Sequence, residues 1–390
     1  MSKVSMPSKN PSLKPVSWIE IDLKAVRSNF REIRRLAFAQ MEPKINRTVD
    51  ILAVVKADAY GHGMVEVART LESEGCRFFA VSNINEAIAL RRSGNRRRIL
   101  MFEATLPELA PDVVKYNLTP SLCAVPLARA LDKYAGRAGK KLPVHVKVDT
   151  GMGRLGVWHK SAVAFVNELN KLKHLQVEGI LTHFPVADTN RAFTEQQMDD
   201  FAHVVADLIR DQIPFRYLHA ANSMGLAAYK NRIFNLARPG VMLYGLSPSA
   251  EVGPKIELQP VMTVKARVLF TKTIYRDSGV SYGHTFRASV DTPVAILAIG
   301  YSDGYFRSLS NRACVLLNGT PCPVLGRVTM DQTVVDISRA GNVTAGDEAV
   351  VLGTQGVCEI SADDIAGWAD TINYEVVCNL GNRLPRVYRS

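Results

Sequence analysis

The chain has 390 residues, 47% of them apolar and 22% charged, with a formal net charge of +11. That is length enough for two domains with cores of their own, and no apolar run reaches the roughly 18 residues a membrane-spanning helix needs. The positive excess raises nucleic acid as a partner. Its densest cluster, "RRSGNRRR" from Arg91 to Arg98, has no interleaved aromatics and reads as a helix end running into a loop, so a solvated face is expected and no nucleic-acid or membrane partner.

In chain order, residues 1–17 are basic and polar and lack the apolar stretch of a secretory signal, so a disordered tail and a cytoplasmic location are expected. "WIEIDL" then reads as a strand that could pair with a later domain. Eight short strand-like runs follow: "ILAVVKA", "FFAVSNI", "RILMFEA", "LTPSL", "PVHVKVD", "VEGILTHF", "FRYLHAAN" and "ARPGVMLYG". Amphipathic segments such as "GMVEVARTLESEG", "NEAIALRRSG" and "TEQQMDDFAHVVADLIRDQ" lie between them. The acids in the first half of the last suit a helix N-terminus. The alternation predicts an α/β fold, a (β/α)8 TIM-type barrel over residues 18–255. The competing open sheet would want GxGxxG after its first strand, where the chain has "KADAYGHG". From about Met262 strand follows strand, "VMTVKARVLFTKTI", "VAILAIGY", "ACVLLNGTPCPVLG", "TVVDIS" and "EAVVLG", with one short helix, "SADDIAGWAD". An all-β domain over 256–390 is expected. The six cysteines form no CxxC pair, which supports neither a metal site nor a redox motif.

Function in such a barrel sits at the C-terminal ends of its strands. Lys56 ends the first of them. An amine desolvated there favours its neutral, nucleophilic form, which suits a Schiff-base lysine; a lysine snorkelling from a strand end fits the same stretch.

The segment "AVVKADAYGHG" resembles the pyridoxal-phosphate lysine segment of the bacterial alanine racemase family. "VKVDTGMGRLG", "LTHF", "HAANS", "ARPGVMLYG", "VSYGHTF", "IGYSDGY", "GRVTMDQ" and "INYEVVC" resemble further family segments, in the family's order and spacing. The resemblance implies a pyridoxal-phosphate-dependent homodimer that interconverts L- and D-alanine and supplies D-alanine for peptidoglycan. Each site would combine one barrel with the partner's β domain. Lys56 matches the Schiff-base lysine and one of two bases, and Tyr282 the other base. Arg238 matches the arginine facing the pyridine nitrogen; a guanidinium can only donate, so it would keep that nitrogen unprotonated. Tyr60 and Tyr374 match hydroxyls on the phosphate. Asn222, Ser223, Gly240 and Val241 fall on the last two strand–helix loops, where barrel phosphate sites commonly form. His183 matches the residue beside the cofactor ring, and His219 would steady Arg238.

Arg154 matches the arginine of the substrate carboxylate region, which would also favour the phenolate of the tyrosine. Lys147 matches a lysine often N-carboxylated in the family. Met330 and Asp331 match the segment supplied by the partner, with the Met330 N–H on the substrate carboxylate. Tyr301 and Tyr374 would narrow the entrance, with Asp188, Arg307 and Arg327 further out, favouring a small side chain. Pro185 and Thr329 depart from the family's alanine and cysteine, and Thr329 bears on substrate range. A racemase of the same fold for serine, lysine or a broader range is the alternative. A barrel-type decarboxylase would want an acid in place of Arg238, and a carrier protein would lack the β domain and Tyr282.

Overall fold

The structure, a computed structural model, describes residues 15–40, 49–230, 234–249 and 256–390. The tail expected over 1–17 lies outside the described residues as far as position 14. The chain forms two compact units: residues 25–59 with 64–259, and the described residues up to Lys24 with 60–63 and 260–390.

The first unit is built on eight parallel strands, Asp50–Val54, Phe78–Val81, Arg98–Met101, Thr119–Leu122, Leu142–Asp149, Leu175–Leu181, Tyr217–His219 and Leu236–Ala237. Each pairs with the next from the first to the seventh, and the eighth returns to the first through Leu236 and Asp50. Between the seventh and eighth, Asn235 stands in for ladder bonds. Its N–H donates to the Leu218 carbonyl at 3.0 Å, and its side chain accepts from the Leu218 N–H at 2.8 Å and donates to the Arg216 carbonyl at 2.7 Å. Strands such as "FFAV" are buried at every residue, as continuous apolar runs in parallel sheets should be.

Two expectations need correction. "ARPGVMLYG" supplies only a two-residue strand, after which Val241–Tyr244 winds into a 3-10 turn. Pro239 cannot donate to a ladder, and the buried Tyr244 is turned inward so that its hydroxyl donates to the Val54 carbonyl at 2.8 Å. The helix Arg191–Arg210 has no acid in its first turn. It starts three residues earlier than the quoted segment, and Asn190 accepts the Phe193 N–H as its cap.

The second unit centres on the strand Met262–Ile274, which pairs with Thr292–Leu297 and Glu348–Gln355. Ser17–Asp22, the "WIEID" strand, lies antiparallel to Met262–Ile274 and parallel to Arg386–Arg389. The hairpin Cys314–Leu317 to Thr320–Pro323 turns at Asn318 and Gly319, both at positive φ (52° and 73°), the Asn-Gly signature of a two-residue loop. Ser361 and Asp364 cap the helix Ala362–Ala369 reciprocally. Ile274, Val280, Ala288, Val294 and Leu325 form a core beside this sheet. No helix among the described residues is long and apolar enough to cross a membrane.

Candidate active site

Lys56 follows the first barrel strand and opens an unusual turn. Ala57, Asp58, Ala59 and Tyr60 all take left-handed helical angles, with φ of 51°, 52°, 56° and 53°. For L-residues that handedness costs about 1–2 kcal/mol each. The turn is held from outside: the Glu86 carboxylate accepts the Ala57 N–H and the Ser82 N–H, each at 2.7 Å, and Asp58 accepts the Met64 N–H at 2.8 Å. Glu86 is itself placed by the cap of its helix, Asn83 accepting its N–H at 3.0 Å. Strain over-determined by its surroundings is characteristic of functional positions. Sequence reading missed Glu86; an Asn-x-x-Glu start of a helix one strand on was the available signal.

Arg238 follows the eighth strand and is 3% exposed. Its guanidinium donates to the Thr182 carbonyl at 2.9 Å, the Ala220 carbonyl at 2.8 Å, and Nδ1 of His183 and of His219, each at 3.2 Å. Burial pulls its pKa down to about 9. Burial, then Arg238, Lys147, Arg154 and Lys56 in that order, hold His183 far below the usual imidazole range. His219 is held down by burial, then by His145, Arg238 and Lys147. Lys147, on the fifth strand, is brought down to about 7 by burial first and then by Arg238 and Arg154. These cations therefore share one strand-end region. Ser223 and Gly240 meet directly, the Gly240 N–H donating to Ser223 Oγ at 3.0 Å, and Asn222 caps the turn of helix beginning at Ser223. Val241 follows in its 3-10 turn.

In the second unit Tyr60 and Tyr374 pack with ring centroids 6.2 Å apart. Burial, then Tyr374 and Cys378, push the Tyr60 phenol well up. Tyr374 rides on a short helix, Asn373–Asn379. Gly61 (φ 78°) must be glycine, because a Cβ would lie 2.3 Å from the Val377 carbonyl oxygen. Tyr282 is 74% exposed, on a turn flanked by Ser281 (φ 60°) and Gly283 (φ 73°). Ser281 Oγ fixes that turn by donating to the Arg327 carbonyl at 2.7 Å. Two residues on, the Thr329 carbonyl accepts the Tyr301 N–H at 2.9 Å, and Met330 O accepts from the Ser302 N–H (3.0 Å) and Oγ (2.6 Å). Asp331 pairs with Arg383 at 2.9 Å. Tyr282, Tyr301, Met330 and Asp331 thus belong to one connected loop cluster.

A cavity of about 1000 Å³ opens elsewhere, at the N-terminal ends of the barrel strands around Arg34, Arg77, Arg96 and Arg216. It is not near the strand-end cations. In the basic cluster, Arg97 pairs with Glu72 and Arg98 with Glu178, while Arg91 donates to the carbonyls of Asn95, Arg97, Tyr116 and Asn117.

A parallel eight-stranded barrel with a lysine at the end of its first strand, carried on one chain with an antiparallel-sheet unit, defines a two-unit class of barrel enzyme. Residues 21–248 match the model of the alanine racemase N-terminal domain and residues 261–388 that of the C-terminal domain. An alanine racemase of Halothermothrix orenii is 40% identical over 375 residues, covering 96% of this chain and 97% of that one. The solved alanine racemase of Clostridium difficile superposes with a TM-score of 0.89 at 33% identity, covering 97% of each chain. That of Bartonella henselae, described with covalently bound pyridoxal phosphate, superposes at 0.84 with 27% identity over 96% of this chain and 100% of that one. The chain belongs to the alanine racemase family, whose members are isomerases.

Proposed function

We propose that the protein interconverts L- and D-alanine with pyridoxal 5′-phosphate, using Lys56 and Tyr282 of the partner subunit as its two proton-transfer groups. The observation that supports the reading is that Lys56, after the first strand, and Arg238, a buried cation donating to neutral acceptors, both act on the His183 imidazole. The donor set fits the cofactor. Lys56 would supply an amine for its aldehyde, Arg238 a donor for its ring nitrogen, and Asn222, Ser223, Gly240 and Val241 two linked loops for its phosphate; the family resemblance adds the hydroxyls of Tyr60 and Tyr374. His183 would lie beside the ring, and His219 would orient Arg238.

Bound pyridoxal phosphate supplies an electron sink that acidifies the Cα–H of the amino acid. Inversion then needs a proton removed from one side and another delivered from the other. Lys56 Nζ serves one side and the Tyr282 Oη of the partner subunit the other. Arg154 and the N–H of Met330 of the partner subunit would bind the substrate carboxylate, with Asp331 of the partner subunit in the same segment, and Tyr301 would limit side-chain size. The exposure of Tyr282, Tyr301 and Met330 supports a homodimer in which this loop cluster completes a second chain's site. An amine brought down to about 7 reacts with carbon dioxide, losing a proton to form a carbamate. Lys147 would thereby become an anion able to hold Arg154; intact mass under non-acidic conditions tests this. A cytoplasmic role supplying D-alanine for peptidoglycan rests on the family resemblance.

A coupled assay for D-alanine formed from L-alanine, with serine and lysine as competitors, tests the reading. Preferred turnover of alanine is expected. A yellow protein inactive on alanine would remove the substrate assignment and leave the cofactor assignment standing.

A further inference from the structure

Among the described residues no carboxylate is ion-paired with Arg238, yet its bonds continue into the barrel. Because a guanidinium only donates, Nδ1 of His219 must be bare, so the proton of His219 sits on Nε2. That Nε2 lies 2.8 Å from Nδ1 of His145, so His145 Nδ1 is the acceptor and its own proton sits on Nε2. Two buried polar atoms without a hydrogen-bond partner among the described residues then face each other: His145 Nε2 and Glu178 Oε2, 4.0 Å apart. The other Glu178 oxygen accepts from Arg98.

This line of polar groups occupies space an apolar layer would ordinarily fill, and the neighbourhood is shaped for it. Gly179, opposite His145 in the ladder, leaves room for the imidazole, since a Cβ there would sit 2.5 Å from His145 Nδ1. Tyr217 stacks on the same ring with centroids 5.9 Å apart, and Phe78 meets it edge-on at 5.7 Å.

We infer that Glu178 is the remote counter-charge of Arg238, acting through His145 and His219 and fixing which nitrogen of each imidazole carries the proton. His145 and Glu178 are then positioning residues: they keep the guanidinium charged and its Nη1 donor on His219. Arg238 is faced also by His183 and Lys147, and Glu178 by Arg98 and Tyr217. The groups that accept hydrogen bonds from Arg238 are all neutral, and Glu178 is the carboxylate at the far end of the line of imidazoles that begins on it. The catalytic consequence rests on the assignment of Arg238 to the cofactor ring; the protonation pattern does not.

The first test uses nitrogen-15-labelled histidine in cofactor-free protein, with resonances assigned by single-histidine substitutions. Both His145 and His219 should be protonated on Nε2 alone from about pH 6 to about pH 9. Protonation of Nδ1 in either overturns the inference. The second test compares Glu178→Gln and Glu178→Asp holoenzymes. Loss of the anion lowers the pKa of the cation it stabilises, so in E178Q the alkaline limb of kcat/KM should move down by about one pH unit, with cofactor content unchanged. E178D, which keeps the charge, should retain the wild-type limb. Coincident limbs in E178Q and wild type overturn the inference, whatever happens to the melting temperature. Should E178Q fail to fold, Gly179→Ala displaces the His145 ring without altering charge and should move the same limb. A wild-type protein that binds no pyridoxal phosphate would defeat the proposed function, while the histidine spectra would still decide the inference.

Discussion

In the barrel unit Arg238 and His219 are 3% and 0% exposed and bonded to one another, whereas in the β unit Tyr282, Met330 and Tyr301 stand 74%, 54% and 42% exposed. The barrel's groups are bound up with its interior, and removing one leaves buried partners unsatisfied. The β unit puts its effort into backbone: loops fixed by Ser281, Ser302 and Thr329 present side chains that touch little. A group held this way can be chemically decisive and structurally idle.

The largest effect should separate chemistry from folding. Lys56→Ala should lower alanine racemisation by about 10⁴-fold, read in the coupled assay, together with loss of the yellow adduct. Tyr282→Phe should cost about 10³-fold in both directions, yet leave stability within about 0.5 kcal/mol of wild type by urea unfolding, as an exposed side chain should. Mixing these two inactive variants sharpens the comparison. If Tyr282 serves the partner's barrel, each mixed dimer holds one intact site and activity returns; if it serves its own barrel, nothing returns.

Arg238→Met reverses the pattern. It strands the carbonyls of Thr182 and Ala220 and should destabilise by about 3 kcal/mol in urea. Glu86→Ala, which frees the N–H groups of Ala57 and Ser82, should cost about 2 kcal/mol and lower activity about tenfold by loosening Lys56. An unchanged rate in that variant would deny the carboxylate any part in placing the lysine.

The smallest effect concerns pH. Lys147 binds its proton less tightly in the fold, with a pKa of about 7, than at its ordinary 10.5. Between those values the unfolded chain holds the extra proton, so stability rises with pH across that window, and the whole penalty is present below it. With carbon dioxide excluded so that the amine is free, Lys147→Met, which cannot charge, should therefore melt higher than wild type at about pH 6, and the gap should shrink towards pH 9. A constant gap would place Lys147 in contact with water.

Much of the barrel was legible because its strands are local apolar runs between turn residues. The lysine, the arginine and the exposed tyrosine were legible because they sit in segments that resemble family segments. What escaped was non-local or conformational. His145 and His219 meet across 74 positions of chain, and nothing in "PVHVKVD" announces the partner. Glu86 reads as an ordinary first-turn acid until its carboxylate is seen on another segment's backbone. "ARPGVMLYG" has the apolar content of a strand, but the proline and glycine inside it end the ladder and Tyr244 turns inward there.

The left-handed turn after Lys56 has a consequence for which residues the chain can carry. Ala57 is at the surface, where replacement is ordinarily harmless, yet its mirror-sense backbone narrows the choice to residues without branching next to the main chain. In a saturation library, valine, isoleucine and threonine should vanish from position 57, while glycine and asparagine survive there. An outward-facing site would then show the intolerance expected of an interior one, for reasons of handedness alone.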